Sequence, residues 1–176
     1  RDLRSMAKQL ERQGAQALRA PFLQRVRRDG TLASPPRILD PWAEFPLGVP
    51  DLMRQMGSDA SEGKYPLLRV LPGLALMGGN HHAPYGRATL VARARGVTHH
   101  FKWRRGLEAR LAPRTEEEPA WGHESALFLD WLRRHEGRLP LDGAFEVTRR
   151  ELLRRGLLRP VRWTDRLRLW RRVRRL

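Results

Sequence analysis

The residues Tyr85 to Glu108, YGRATLVARARGVTHHFKWRRGLE, decide how this chain is read. From Thr89 to Arg95 polarity alternates: Thr89, Val91, Arg93 and Arg95 fall on one face, Leu90, Ala92 and Ala94 on the other. After Gly96 the alternation resumes, with Val97, His99, Phe101 and Trp103 opposed to Thr98, His100 and Lys102. A strand points successive side chains to opposite faces, so the pattern predicts two strands joined by a tight turn near Arg95-Gly96. One face of such a hairpin packs, and the other carries cations beside aromatics.

Outward from this stretch, charge falls in blocks. Residues 64 to 114 carry a net +9 and residues 146 to 176 another +9, while residues 31 to 63 sum to −3 and residues 115 to 145 to −4. The whole chain of 176 residues has a formal net charge of +16. Of its 35 basic residues, only Lys8, Lys64 and Lys102 are lysines. Arginine's planar fork suits bidentate phosphate contacts and stacking on bases. A charge this large on a chain this small implies a polyanionic partner, with nucleic acid ahead of an anionic membrane. Hydrophobic residues make up 40% and charged residues 31%, with mean hydropathy −0.62, as expected of a soluble chain. No apolar run reaches the roughly 20 residues a transmembrane helix needs. The absence of cysteine excludes disulfides, thiolate zinc sites and cysteine nucleophiles. The opening Arg1 fits a processed or trimmed start.

Taken in order, Leu3, Met6, Ala7, Leu10, Gly14, Ala17 and Leu18 follow helical spacing and predict an amphipathic helix ending before Pro21. Pro35, Pro36, Pro41, Pro46 and Pro50 preclude a long helix over residues 31 to 63, which read as an extended arm. Within it a short helix is expected from Asp51 to Met56, stopping at Gly57. Tyr65 to Met77, broken by Pro66 and Pro72, reads as a strand or short buried segments before a turn at Gly78-Gly79-Asn80. Pro113 to Pro119 reads as an acidic linker, followed by a helix from about His123 to Glu136 with Phe128, Trp131, Leu132 and His135 on one side. Thr148 and Glu151 match a capping box for a helix stopping at Gly156, and a last, arginine-rich helix is expected from about Thr164.

These readings give an α+β chain: a small antiparallel β-hairpin or sheet element with flanking helices and extended proline-rich and arginine-rich extensions. Its expected segments are residues 1–63 (N-terminal helix and proline-rich arm), 64–114 (basic β element) and 115–176 (helical C-terminal region with an arginine-rich tail).

Catalytic chemistry finds little support. GLALMGGN at Gly73 to Asn80 lacks the lysine and hydroxyl that a phosphate loop requires. Adjacent histidines in a strand, as in His81-His82 and His99-His100, point to opposite faces and cannot easily share one metal. His123-Glu124 is not followed by the second histidine of a zinc-protease helix, and Ser34 and Ser125 lack the glycine-flanked turn of a hydrolase nucleophile. The expectation is therefore no enzyme, cofactor, metal or small-molecule substrate. The candidate RNA-binding residues are Arg87, Arg93, Arg95, Lys102, Arg104 and Arg105 in the β element, with Arg149 and Arg150 in the capped helix. Arg168, Arg171, Arg172, Arg174 and Arg175 complete the set in the tail. Cations take phosphates, and neighbouring aromatics can stack on unpaired bases. Phe101 and Trp103 are themselves expected to be core residues.

The order of features resembles organelle-specific ribosomal proteins, and more narrowly the small-subunit mitochondrial ribosomal family numbered thirty-four. Leu3 to Leu18 matches a basic N-terminal helix, Leu71-Pro72-Gly73 with Gly78-Gly79 a Leu-Pro segment leading into glycines, and Tyr85 to Gly106 an aromatic-to-basic strand pair. Asn80-His81-His82-Ala83-Pro84 stands where that family carries a tryptophan-rich stretch, and the resemblance does not reach the C-terminal region. It implies a structural component of the mitochondrial ribosome or a related ribonucleoprotein in the matrix, with ribosomal RNA and other ribosomal proteins as partners. Two other readings remain open. One is a DNA-binding, winged-helix-like module over residues 119 to 176; the other is an accessory subunit of an organellar membrane complex, with its basic tail on lipid.

Overall fold

The computed structural model describes residues 3–32, 40–59, 63–74, 91–93, 96–117 and 119–158. The fold is α+β, and the chain forms two interleaved compact units. One draws on Arg1–Pro21, Gly63–Thr98 and Leu152–Leu176, the other on Phe22–Glu62 and His99–Glu151.

In the first unit, helix α1 (Leu3–Arg12) carries its apolar residues on one stripe, with Arg4, Lys8, Glu11 and Arg12 exposed. Leu10 packs with Ala15 and Leu18, and Met6 and Leu67 close over them. The helix stops earlier than its periodicity predicts. Gly14 takes the left-handed conformation (φ 60°), and the Ala15 N–H returns to the Leu10 carbonyl at 3.0 Å. The chain then turns into strand β1 (Ala17–Val26), so Ala17 and Leu18 are strand residues. Pro21 breaks no helix. It is exposed at the end of a ladder, opposite Gly63, where its missing N–H is tolerated. Strand β3 (Gly63–Leu68) runs antiparallel to β1, with Ala17 opposite Leu68 and Leu18 opposite Leu67, and a bulge near Arg19. Strand β4 (Val91–Arg93) pairs with the same residues of β1 in parallel, Arg19 lying opposite Arg93.

In the second unit, the other half of β1 is buried without interruption from Phe22 to Val26. Strand β2 (Leu47–Val49) pairs antiparallel to it, with Arg25 opposite Gly48, and β2 in turn pairs with β6 (Phe145–Glu146). Strand β5 (Thr98–His100) also pairs with β1. The expected hairpin is thereby corrected: among the described residues β4 and β5 each pair with β1 rather than with each other. Gly78-Gly79-Asn80 and the Arg95 half of the predicted turn lie outside the described residues, as does the arginine-rich helix expected from Thr164.

Residues 31 to 63 are more than an arm. Asp40 caps helix α2 (Pro41–Glu44) by accepting from the Trp42 and Ala43 N–H groups at 2.9 and 3.2 Å. Helix α3 (Leu52–Gln55) falls where it is expected, ending at Gly57 (φ 88°), although Asp51 makes no side-chain cap. This segment gives Val49, Leu52, Met53 and Met56 to the main core, where they meet Val26, Trp103, Leu107, Leu111, Phe128, Leu129, Leu132 and Leu139. The acidic linker is likewise replaced by structure. Helix α4 (Leu107–Leu111) leads to α5 (Arg114–Glu117), and Pro119 opens α6 (Pro119–Arg134), suited to a first helical turn by its fixed φ. Helix α7 (Arg149–Arg154) starts at Thr148, whose hydroxyl accepts from the Glu151 N–H at 3.2 Å. Among the described residues no helix is long and apolar enough to cross a membrane.

Candidate nucleic-acid interface

The buried half of β1 places two polar side chains on opposite faces of the second unit, each meeting one histidine of the His99-His100 pair. On one face Gln24 Oε1 accepts from Trp103 Nε1 at 3.0 Å and from His100 Nδ1 at 3.0 Å. Phe22 stacks on the His100 ring, with centroids 4.6 Å apart. Trp103 itself is 0% exposed and meets Phe128 edge-on at 5.5 Å, so it is a core residue as expected. The Gln24 amide nitrogen is buried and makes no hydrogen bond, even though its carbonyl is held twice.

On the other face lies Arg25, 1% exposed. Its Nε donates to the Phe45 carbonyl at 2.9 Å and Nη2 donates to the same oxygen. Its Nη1 donates to His99 Nδ1 at 3.3 Å. That bond requires the His99 proton to sit on Nε2. The guanidinium lies 4.8 Å from the centre of the Trp42 ring and 5.4 Å from that of Phe101. Trp42 also meets His99 and Phe101 edge-on, while remaining 52% exposed. No carboxylate partners Arg25 among the described residues, so aromatic faces and a carbonyl replace water around the cation. Burial lowers the Arg25 pKa to about 10. Burial, and second the neighbouring Arg25 charge, lower that of His99 to about 4. This box holds the α2 segment against β1 and β5. It is structural rather than a place for phosphate, because the charge cannot reach solvent.

The cations expected to bind RNA are distributed among separate elements. Arg93 is the direct cross-strand neighbour of Arg19, which is exposed. Lys102 departs from the expectation: its side chain is 19% exposed, 3.9 Å from Glu124 Oε1 and 4.3 Å from the Phe128 ring centre. It serves the packing of α6 more than a solvent-facing surface. Arg104 and Arg105 are exposed together in the turn before α4, and Arg149 and Arg150 are exposed together in the first turn of α7. Arg104, Arg149 and Arg150 have no ion-pair partner among the described residues. Arg87, Arg95, Arg168, Arg171, Arg172, Arg174 and Arg175 lie outside the described residues.

Sequence reasoning missed Arg25, Gln24 and Trp42. The signal present was the alternation of Phe22, Gln24 and Val26 against Leu23 and Arg25, hidden by helical spacing just before it. Among the described residues no group of histidines and carboxylates is arranged to hold a metal. No protein family, no curated protein and no solved structure matches this chain.

Proposed function

We propose that this chain is an RNA-binding structural protein, a component of a mitochondrial ribosome or a related ribonucleoprotein that clamps ribosomal RNA and contacts neighbouring proteins. The observation that carries the reading is that Arg104, Arg149 and Arg150 are exposed and have no ion-pair partner among the described residues, in a chain of net charge +16. Exposed guanidiniums that lack internal carboxylates keep their donors for an external anion, and arginine's fork fits phosphate. The division of charge supports the same reading. The two acidic blocks give Val49, Leu52, Met53, Met56, Phe128, Leu129, Leu132 and Leu139 to the main core, while Arg104, Arg149 and Arg150 of the basic blocks stand exposed.

The test is sedimentation of the native protein with and without ribonuclease. Cosedimentation with large ribonucleoprotein that disappears on nuclease treatment supports the assignment. Retention of the chain in its assembly after complete removal of RNA overturns it.

A further inference from the structure

A groove of about 300 Å³ lies at the C-terminal end of α6, in the second unit, and the RNA-binding residues expected from sequence do not include it. Its floor is aromatic. His135 stacks on Trp131 with ring centroids 3.9 Å apart and planes 7° from parallel. Neither ring is loose. His135 Nδ1 donates to the Trp131 carbonyl at 2.8 Å, and Trp131 Nε1 donates to the Arg138 carbonyl at 3.1 Å.

The wall is equally fixed. After α6 the backbone passes through two consecutive left-handed residues, Glu136 (φ 52°) and Gly137 (φ 75°), with the Gly137 N–H returned to the Leu132 carbonyl at 2.8 Å. A non-glycine residue at positive φ is strained, and such strain is kept where the surroundings enforce it. Here the turn carries Arg138 and Leu139 back past the aromatic pair. Both are anchored: Arg138 bridges Thr31, and the Leu139 N–H donates to the Gly30 carbonyl at 2.8 Å.

The rim carries two arginines and one carboxylate, Glu136. Arg134 and Arg138 line the groove, Arg134 sharing its charge with Asp130, whereas the exposed Arg138 side chain has no carboxylate partner among the described residues. A flat, exposed ring beside the arginine donors of Arg138 is the chemistry that binds a base and its phosphate together. Every base offers a π-face for stacking, and a platform fixed in advance loses little entropy on binding.

We propose that this groove takes one unpaired base of single-stranded RNA, which continues the Trp131–His135 stack while Arg138 holds the adjoining phosphate. The proposal rests on the RNA-binding reading and narrows it to a strand-selective contact. The Glu136 carboxylate at the rim can accept from an exocyclic amino group, which adenine has and uracil lacks, so oligoadenylate should bind ahead of oligouridylate.

The experiment titrates the full chain with a labelled ten-nucleotide oligoadenylate, with oligouridylate, with a duplex RNA and with adenosine monophosphate. His135→Ala should weaken oligoadenylate binding roughly ten-fold, leave the duplex unchanged, and be rescued by His135→Phe. Arg138→Ala should weaken binding and reduce the dependence of log affinity on log salt by about one. Unchanged oligoadenylate affinity in His135→Ala, in a protein that still binds the duplex RNA, overturns the groove and leaves the broader reading standing. Failure of the unaltered chain to bind any RNA overturns both. Saturable binding of the monophosphate at the same site, without preference for the oligonucleotide, replaces a strand contact with a nucleotide pocket and overturns the proposal.

Discussion

His99 accepts a hydrogen bond from a buried guanidinium, and its burial, with the Arg25 charge second, makes it a group through which acid acts on the second unit. Its pKa in the folded protein is about 4, below the ordinary histidine value of 6.5. Between those values the unfolded chain binds a proton that the folded chain refuses. The contribution of neutral His99 is therefore present above about pH 6.5 and is lost as pH falls towards 4. Replacing His99 by glutamine, which keeps an acceptor and cannot titrate, should flatten the fall in urea-unfolding stability between pH 7 and pH 4.5. An unchanged acid response would show that other groups dominate it. Arg25 gives a second prediction. Arg25→Met keeps length but leaves the Phe45 carbonyl without its donor, at a cost of about 1–3 kcal/mol by denaturant unfolding. None of this was visible in the residues Arg25-Val26-Arg27-Arg28, which the sequence reading did not single out. Arg25 is buried because the Phe45 carbonyl and the Trp42 and Phe101 rings converge on it from distant parts of the chain, and one-dimensional spacing carries no record of that. The histidine pair, by contrast, was legible: adjacent strand residues point apart, and His99 and His100 do meet different faces of β1.

At the scale of elements, local signals held where a cap or a stop defined them. Thr148 starts α7, Gly57 follows α3, and Gly137 lies just beyond α6. Periodicity failed where two elements shared one apolar phase. Leu10 and Leu18 have helical spacing and occupy one small core, yet one is on α1 and the other on β1. The left-handed Gly14 between them was the deciding residue. The acidic run before Pro119 was misread because glutamates next to prolines look like a linker, while α5 gains its place by packing on α6. Gly122 marks that close approach. A Cβ there would lie 3.0 Å from the Thr115 carbonyl oxygen and 3.2 Å from that of Arg114. Alanine in an open helix interior is worth about 1 kcal/mol over glycine. At Gly122 we expect the opposite sign, with Gly122→Ala lowering the thermal midpoint because backbone oxygens cannot step aside. A raised midpoint would mean that α5 and α6 separate without cost.

At the scale of the whole molecule, charge was the most readable property and topology the least. The sequence blocks give the net charge of each segment directly, but they do not show that Arg25 is buried or that Lys102 lies beside Glu124 and Phe128. The parallel pairing of β4 with β1 depends on a long crossover, and nothing local announces it. The RNA-binding reading makes a measurable claim at this scale. Reversing Arg104 and Arg149 together to glutamate should weaken RNA binding uniformly across sequences. It should also reduce the salt slope by about one for each phosphate that is no longer neutralised. An unaltered slope would remove these two residues from the interface.

Strand β1 is continuous through both interleaved units, and this bears on synthesis. The strand leaves the ribosomal exit tunnel before β2, β3, β4, β5 or β6 exists, and its stretch from Phe22 to Val26 is destined for full burial. For that interval it is a strand with two open edges that carries Phe22, Leu23 and Val26 uncovered, a form prone to pair with a foreign strand. Arg19 and Pro21, both exposed, sit immediately before the vulnerable stretch as a charge and a missing donor. A charge and a missing donor at such a place are the residue types that discourage pairing with a foreign strand before the later strands arrive.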